Sequence, residues 1–324
     1  MKTVYITGAS AGLGRAIAQV YAADGYKVGL IARDEDALKE AVQSLGANAA
    51  WASADVADFA QLQDAARKLS AALGPPDIWI NNAMATIFSR FSDIKPEEFA
   101  RSIHVTLLGS VNGLQIALEF MKERREGQII QIGSALAYRA IPLQAPYCAA
   151  KAAIREAVNS LRCELIHDKS RIRITMVHMP AMNTPQFDWA RRHIAEQPQP
   201  APPIYAPEAC AKAVLWTASH PKRREVWVGL PTFEAIMGNK LFPALMDYYM
   251  AHRAYEGQFE KRSNIKDTDG NLFHPVKGFH KAEGHFASRQ INKVFWMGTS
   301  WQQEIGFIGL GILLIAGLVF IACK

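Results

Sequence analysis

The chain opens with Thr3-Val-Tyr-Ile-Thr7-Gly8-Ala-Ser-Ala-Gly12-Leu-Gly14, a short apolar run that leads directly into a glycine-rich turn. The apolar run predicts a buried strand, and the residues from about Arg15 to Ala23 predict a helix. Between a strand and a helix, Gly8 permits a tight turn, Gly12 lets the backbone approach a pyrophosphate, and Gly14 allows close packing. The helix N-terminus then faces the phosphates. This order predicts a dinucleotide site, and a flexible glycine-rich loop is the alternative.

The second predicted strand ends at the position where such sites usually choose their cofactor. It covers residues 26–32 and is followed by Arg33 and Asp34. An arginine there can receive a ribose 2′-phosphate, whereas an acidic side chain binds the 2′-hydroxyl. Arg33 comes first and favours NADP(H), while Asp34 leaves NAD(H) open. A surface ion pair of Arg33 with Asp34 or Asp36 is the alternative.

Strand and helix patterns continue to alternate beyond this point. Further strands are predicted at residues 49–53, 77–80, 128–133, 172–178 and 224–229. The alternation predicts an α/β fold with a doubly wound parallel sheet. Asp55, Asn81 and Asn82 follow two of these strands. Because such sheets bind ligands at the carboxyl ends of their strands, these polar side chains are candidates for cofactor contacts.

A second candidate site lies in the middle of the chain. Ser134 ends the apolar run of residues 128–133, which predicts a buried strand. Tyr147 and Lys151 are four residues apart at the start of an alanine-rich run that predicts a helix, so both side chains lie on one face. A lysine ammonium beside a phenol stabilises the phenolate and lowers the tyrosine pKa from its reference value of about 10. The pattern predicts acid–base catalysis by Tyr147, with the Ser134 hydroxyl bonded to a substrate carbonyl.

Together these motifs resemble those of the short-chain dehydrogenase/reductase family. In chain order they are Thr7-Gly8-x-x-x-Gly12-x-Gly14, Asp55, Asn81-Asn82-Ala83, Ser134, Tyr147-x-x-x-Lys151 and Thr184. The resemblance covers residues 1 to about 232 and implies a Rossmann fold. It also implies an oxidoreductase that transfers hydride between nicotinamide and a carbonyl or alcohol carbon.

The resemblance implies a role for each matching residue. Tyr147 is the expected general acid/base, Lys151 holds the nicotinamide ribose, and Ser134 orients the substrate carbonyl. Thr184 is expected to bind the carboxamide, and Asn82 to support the floor of the cofactor site. The full set of expected cofactor contacts is Gly8, Ser10, Gly12, Leu13, Gly14, Arg33, Asp55, Val56, Asn82, Ala83, Tyr147, Lys151 and Thr184.

One catalytic position departs from the family pattern. The family has an asparagine in a Val-Asn-Leu-x-Gly pattern, and the match in this chain is Val105-Thr106-Leu107-Leu108-Gly109. Thr106 is therefore the candidate fourth catalytic residue. The family's asparagine acts in part through a backbone carbonyl that holds a relay water, so a slower or altered proton relay is expected. A membrane-tethered cofactor-binding scaffold or redox sensor, with little or no turnover, is the rival function that Thr106 favours.

The substrate side is expected to be apolar. Between Thr184 and Pro207 lies the family's variable lid, in which Phe187 and Trp189 either cap a substrate or pack the lid onto the core. The predicted pocket residues are Met84, Leu136, Tyr138, Ile141, Phe187 and Trp189. Their bulk favours a lipid-, steroid- or retinoid-like ketone or alcohol over a sugar.

The chain beyond the catalytic domain, residues 1–232, is predicted to form three segments. Residues 233–262 predict a helical extension, residues 263–300 a poorly structured linker, and residues 301–324 a single transmembrane helix. Residues 305–323 carry no charge and would span about 28 Å as a helix, close to a bilayer core of about 30 Å. A buried helix or a dimer contact is the alternative. An anchor would leave the catalytic domain in the cytoplasm, and deleting it would release the protein from membranes.

Composition narrows the remaining classes of function. The net charge is +6 and the basic residues are scattered, so nucleic-acid binding is not indicated. The four cysteines form no Cys-x-x-Cys pair and are expected to be reduced thiols. His274, His280 and His285 match no metal-binding spacing and are expected to be solvated. The first strand begins at once, so no signal peptide is expected, and the family resemblance implies a homodimer or homotetramer.

Overall fold

Strands and helices alternate along the chain in the computed structural model, which describes residues 1–263, 270–278 and 280–300. The strands are β1 (Thr3–Thr7), β2 (Lys27–Ala32), β3 (Ala49–Ser53), β4 (Ile78–Asn81), β5 (Ile87–Phe88), β6 (Glu126–Ser134), β7 (Arg171–Met179), β8 (Arg191–Arg192), β9 (Glu196–Pro198), β10 (Ile204–Tyr205), β11 (Glu225–Val228), β12 (Phe259–Ser263), β13 (Gln290–Ile291) and β14 (Trp296–Thr299). The α-helices are α1 (Gly12–Ala23), α2 (Glu35–Leu45), α3 (Phe59–Leu73), α4 (Pro96–Ile103), α5 (Gly109–Lys122), α6 (Ala145–His167), α7 (Gln186–Trp189), α8 (Pro207–Ser219), α9 (Leu230–Leu241) and α10 (Pro243–Tyr249).

The core of the fold is an eight-stranded sheet with the order β14-β11-β7-β6-β4-β1-β2-β3. Neighbouring strands from β11 to β3 are parallel, whereas β14 runs antiparallel to β11. Helices α1, α2 and α8 pack on one face of the sheet, and α3, α5 and α6 pack on the other. This is the predicted α/β, Rossmann-like fold with a parallel central sheet.

The central strands are buried on both faces, which explains why they are short apolar runs rather than alternating patterns. Every residue of β1 and of β4 is buried. The chain changes to glycine, amide and hydroxyl groups where these strands end. Because β1, β4 and β6 are parallel neighbours, Gly8, Asn82 and Ser134 come together at one edge of the sheet.

Two helical stretches of the chain are interrupted in the structure. A π-helical turn, His104–Leu108, lies between α4 and α5. Such turns occur frequently at functional sites, and this one contains Thr106. The helical extension predicted over residues 233–262 is divided at Pro243, which has no N–H group to continue α9 into α10.

The predicted linker has defined structure in the residues described after 263. Strand β13 pairs with β10, and β14 extends the central sheet beside β11. Residues 270–278 and 280–286 lie at the edge of the sheet that carries the site, where they contact Gly12 and Arg33. The prediction of a poorly structured linker is wrong for these residues. These residues are held mostly by hydrogen bonds to their backbone groups. Such bonds do not require a periodic pattern of apolar residues, so the sequence did not indicate them.

The predicted membrane anchor, residues 301–324, lies outside the residues that the structure describes. Among the residues that it does describe, no helix combines the length and the apolar character needed to cross a bilayer. The anchor therefore stays a prediction.

Candidate active site

The glycine-rich turn between β1 and α1 is held by Asn82. The side-chain amide of Asn82 donates to the carbonyl oxygens of Thr7 at 3.0 Å and of Gly8 at 3.2 Å. Gly8 has a φ of +67°, and a Cβ on Gly14 would overlap the Gly8 carbonyl. Both positions therefore need glycine. The structure places Asn82 at the floor of the site.

The N-terminus of α1 is suited to an anion. The helix begins at Gly12 without a side-chain cap and without an acidic residue in its first turn. The N–H groups of such a helix end attract phosphates. The Gly12 N–H donates to the carbonyl of Lys281 at 3.0 Å, which leaves the N–H groups of Leu13 and Gly14. These residues fit the pyrophosphate of a nicotinamide dinucleotide.

A cavity of about 660 Å³ runs from this turn along the carboxyl ends of the strands. The predicted cofactor positions that line it are Gly8, Ser10, Gly12, Leu13, Arg33, Asp55, Val56, Asn82, Ala83, Tyr147, Lys151 and Thr184. Gly14 instead packs beneath the turn, against Gly8. One cavity therefore joins these predicted cofactor positions to Ser134, Tyr147 and Lys151.

Ser134, Tyr147 and Lys151 come together at the middle of this cavity. Ser134 ends β6, and its side chain hydrogen-bonds with that of Tyr147 in the first turn of α6. Lys151 lies one helical turn later, with its Nζ 5.6 Å from the centroid of the Tyr147 ring. The same ammonium donates to the carbonyl oxygen of Ile132 at 2.7 Å, which fixes its position.

Burial controls the protonation of this group. Burial raises the pKa of Tyr147, and the hydrogen bond with Ser134 only partly opposes the rise. The expected lowering of the Tyr147 pKa is therefore not seen, because the loss of solvent outweighs the hydrogen bond with Ser134. Burial also lowers the pKa of Lys151 to about 8, so the ammonium is still charged at pH 7.

Thr106 does not line the cavity. The residue is fully buried, and its hydroxyl accepts from the N–H of Ala85 at 2.9 Å and donates to the carbonyl of Ala85 at 3.1 Å. The Thr106 carbonyl accepts from the Ser110 hydroxyl at 2.8 Å. Val105 lines the cavity instead. Thr106 thus ties the π-helical turn to the segment after β4, and the altered proton relay expected at this position stays a prediction.

Arg33 and Asp34 are both at the cavity, but their side chains are engaged differently. The Asp34 carboxylate caps α2 by accepting from the Ala37 N–H at 3.1 Å, and it lies 3.4 Å from Nε2 of His280. The Arg33 guanidinium donates to the carbonyl oxygens of residues 271–273. Arg33 therefore joins the cavity wall to the C-terminal part of the chain.

Asp55 is also held by the structure around it. Its carboxylate accepts from the Ala57 N–H at 3.0 Å and from the guanidinium of Arg101. Arg101 in turn donates to the carbonyl of Leu272 at 3.1 Å. Asp55 lines the cavity, and its predicted contact with an adenine stays a prediction.

Apolar side chains line the cavity beyond Tyr147. The predicted pocket residues found there are Met84, Leu136, Ile141, Phe187 and Trp189. The prediction for Tyr138 is wrong. The short turn Ala135–Ala137 carries Tyr138 away from the cavity, and its hydroxyl donates to the buried carboxylate of Glu225 at 2.7 Å. Its ring packs against the guanidinium of Arg155, which lies 4.3 Å from the ring centroid.

A buried acid fastens the lid, residues 185–205, over this apolar pocket. Glu98 on α4 accepts hydrogen bonds from Nε of Arg191 and from Nε2 of His193, both at 2.7 Å. Strand β8 of the lid also pairs with β5. Burial raises the pKa of Glu98, but the hydrogen bonds from His193 and Arg191 outweigh it and bring the pKa below its ordinary value.

Several residues at the cavity were not anticipated from the sequence. They are Gln144, Met246, Met250, Gln258, Asn271, Pro275, Val276 and His280. Nε2 of Gln144 donates to Oε1 of Gln258 at 2.8 Å, which adds a polar pair to an apolar wall. Gln144 could have been predicted to lie at the cavity, because it comes just before Tyr147 in the chain. No pattern in the sequence connects the residues after 257 with the site.

Comparison with known proteins establishes the family. The family model described as short chain dehydrogenase matches residues 2–194, which is more than half of the chain. The chain therefore belongs to the short-chain dehydrogenase family and is an oxidoreductase of that family. This confirms the resemblance of its motifs.

Three similar proteins illustrate the range of the family around this chain. An uncharacterized oxidoreductase, YxnA of Bacillus subtilis (strain 168), is 32% identical over 284 residues, which cover 86% of this chain and 80% of that protein. A fatty acyl-CoA reductase of Acinetobacter baylyi is 30% identical over 239 residues, which cover 70% of this chain and 77% of that protein. A solved alcohol dehydrogenase from the archaeon Thermococcus sibiricus, complexed with 5-hydroxy-NADP, is 28% identical with a TM-score of 0.61, covering 70% of this chain and 95% of that chain.

Proposed function

We propose that this chain is an NADP(H)-dependent oxidoreductase that acts on a carbonyl or alcohol carbon of an apolar, lipid-like substrate. The observation that carries the proposal is the position of Tyr147. Its side chain lies beside Ser134 and Lys151, in a cavity that also contains the glycine-rich turn and the apolar pocket. An acid–base group, a phosphate-binding turn and an apolar wall in one space support this reaction.

The residues of the site suit carbonyl reduction. The cofactor, when bound, supplies a hydride to the carbonyl carbon. Ser134 accepts a hydrogen bond from the Leu136 N–H at 3.1 Å, which orients its hydroxyl, and its proton can turn from Tyr147 to the substrate carbonyl oxygen. Tyr147, kept protonated by burial, gives its proton to that oxygen. Lys151 stabilises the phenolate until solvent returns a proton.

The apolar lining of the cavity supports an apolar substrate, as does the similarity to a fatty acyl-CoA reductase. We expect NADPH-dependent reduction of long-chain aldehydes and hydrophobic ketones, with kcat/KM at least about tenfold above that for sugars, because each buried methylene contributes about 0.8 kcal/mol. Loss of NADPH absorbance measures the rate. A preference for sugars would contradict the substrate class. Cofactor binding without any turnover would favour the scaffold function.

The contacts that the Asp34 carboxylate already makes within the protein support NADP(H) over NAD(H). Its carboxylate caps α2 and faces His280, so it is poorly placed to accept from a ribose 2′-hydroxyl. Arg33 supplies positive charge at the same wall of the cavity. The similarity to an alcohol dehydrogenase complexed with 5-hydroxy-NADP supports the same choice.

Replacing Arg33 with alanine tests this choice. We expect the parent chain to bind NADPH more tightly than NADH, and Arg33→Ala to reduce that ratio by about 10- to 100-fold, the value of one charged hydrogen bond. Fluorescence titration with both cofactors measures the ratio. Arg67→Ala, at an exposed arginine of α3, is the control that should leave it unchanged. A parent preference for NADH, or an unchanged ratio in Arg33→Ala, would contradict the NADP(H) proposal.

A further inference from the structure

Residues 270–278 and 280–286, named the strap, run across the end of the cavity that contains Arg33 and Asp55. The strap residues that line the cavity are Asn271, Pro275, Val276 and His280. This wall belongs to neither the glycine-rich turn nor the catalytic group. In the proposed function, this end of the cavity would hold the adenosine half of the cofactor.

The first attachment of the strap is at Arg33. The guanidinium donates to the carbonyl oxygens of Leu272 at 3.3 Å and Phe273 at 3.0 Å, and also to that of Asn271. Leu272 is fully buried, and its carbonyl accepts a further hydrogen bond from Arg101. Arg33 at the cavity wall and Arg101 of α4 therefore hold the backbone of the strap.

The second attachment is at the N-terminus of α1. The carbonyl of Lys281 accepts from the Gly12 N–H at 3.0 Å, and the carbonyl of His280 accepts from the guanidinium of Arg15. The His280 ring lies between two carboxylates, with Nδ1 3.1 Å from Glu40. The strap thus reaches the turn where the pyrophosphate is expected to bind.

The third attachment is beside Thr184. The Gly284 N–H donates to the carbonyl of Asn183 at 3.2 Å, and the Phe286 N–H donates to the Asn183 side chain at 3.1 Å. Phe286 is 1% exposed and packs edge-on against Phe187 of the lid. The strap therefore follows the cofactor half of the cavity from Arg33 to Thr184.

The strap can detach from these three places while the rest of the chain stays folded. Apart from the buried side chains of Leu272 and Phe286, the attachments are single hydrogen bonds, and the middle of the strap is exposed at His274, Pro275 and Lys277. We propose that the strap closes over the adenosine end of a bound cofactor and must detach before the cofactor can leave. This rests on the proposed function only in requiring that a nicotinamide dinucleotide binds in the cavity.

Two glycines of the strap give a matched test. Gly270 and Gly278 both have positive φ, so alanine costs backbone strain at both. A Cβ at Gly270 would overlap the backbone of Trp189 and Arg191, whereas a Cβ at Gly278 meets nothing within 4 Å. Gly270→Ala should therefore displace the strap next to its attachment at Arg33, and Gly278→Ala should leave it in place.

The readout is the rate at which bound NADPH dissociates when chased with excess unlabelled competitor, followed by its fluorescence without any substrate. We expect Gly270→Ala to release NADPH about tenfold faster than Gly278→Ala, which corresponds to one or two lost hydrogen bonds. Equal rates would overturn the proposal. Tighter binding to Gly270→Ala would also overturn it, because the strap would then compete with the cofactor.

A second test uses an exposed side chain, whose replacement does not disturb the packing of the fold. Glu40→Ala removes the carboxylate that holds His280 and Arg15, and Glu35→Ala removes an exposed carboxylate of the same helix as its control. We expect faster NADPH release from Glu40→Ala alone. In the parent chain, hydrogen exchange of amides in the strap should slow when NADPH binds, and unchanged exchange would overturn the proposal.

The outcomes separate this proposal from the proposed function. If the parent binds NADPH but reduces no substrate, the proposed function fails and the dissociation rates still decide the role of the strap. If the parent is an active reductase and all four variants release NADPH at the parent rate, the strap proposal fails alone. If the parent binds neither NADPH nor NADH, both proposals fall.

Discussion

Tyr147→Phe is expected to lower kcat/KM for an apolar ketone by about a thousandfold, within the range that general acid–base catalysis contributes. The hydroxyl that is removed is the proton donor, and phenylalanine keeps the ring that fills the cavity wall. NADPH affinity should change by no more than about threefold, because Ser134 and Lys151 keep their other hydrogen bonds, to Leu136 and Ile132. Steady-state kinetics and a cofactor titration on the same preparation measure both quantities.

Tyr138→Phe is the matched control, since it removes the same atom nine residues earlier in the chain. The Tyr138 hydroxyl donates to Glu225, away from the cavity, so kcat/KM of this variant should stay within about threefold of the parent value. Its free energy of unfolding should fall by about 1–3 kcal/mol, because the buried Glu225 carboxylate loses a donor. Activity that survives in Tyr147→Phe, or that is lost equally in both variants, would contradict the catalytic role of Tyr147.

The contrast between these two tyrosines shows what the sequence could predict. Tyr147 is located by its spacing to Lys151 and by the helix that both residues begin, which are local properties. The glycine-rich turn was likewise predictable, because Gly8 is required by its own positive φ and Gly14 by its close approach to the Gly8 carbonyl. The parallel sheet followed from the alternation of elements, since each strand is short, apolar and followed by a helix.

Tyr138 and Thr106 show where local reasoning stops. The direction of the Tyr138 side chain depends on Glu225 in a strand far along the chain, and that of Thr106 on the backbone of Ala85. The strap is the clearest case, because carbonyl oxygens supply most of its attachments to Arg33 and Gly12. Every residue has a carbonyl oxygen, so the sequence contains no sign of such contacts.

Glu98→Ala is expected to lower the free energy of unfolding by about 3–5 kcal/mol, the usual cost of removing one partner of a buried ion pair. Glu98 is 3% exposed and joins α4 to Arg191 and His193 of the lid. Its carboxylate also accepts from the Lys95 N–H at 3.3 Å at the start of the helix. Denaturant unfolding of the parent and the variant measures the difference. Glu97→Ala, at the exposed neighbour, should change stability by no more than about 0.5 kcal/mol.

The pH dependence of this difference distinguishes a charge effect from a packing effect. The folded pKa of Glu98 lies below its ordinary value, so its stabilisation is fully present above the unfolded pKa and is lost as the pH falls through the folded pKa. The gap between the parent and Glu98→Ala should therefore be constant near neutral pH and shrink below about pH 4. A gap that stays constant at acid pH would mean that the carboxylate acts by filling space. Because the lid covers the apolar pocket, a charge effect also predicts a higher KM for apolar substrates in Glu98→Ala, with NADPH affinity unchanged.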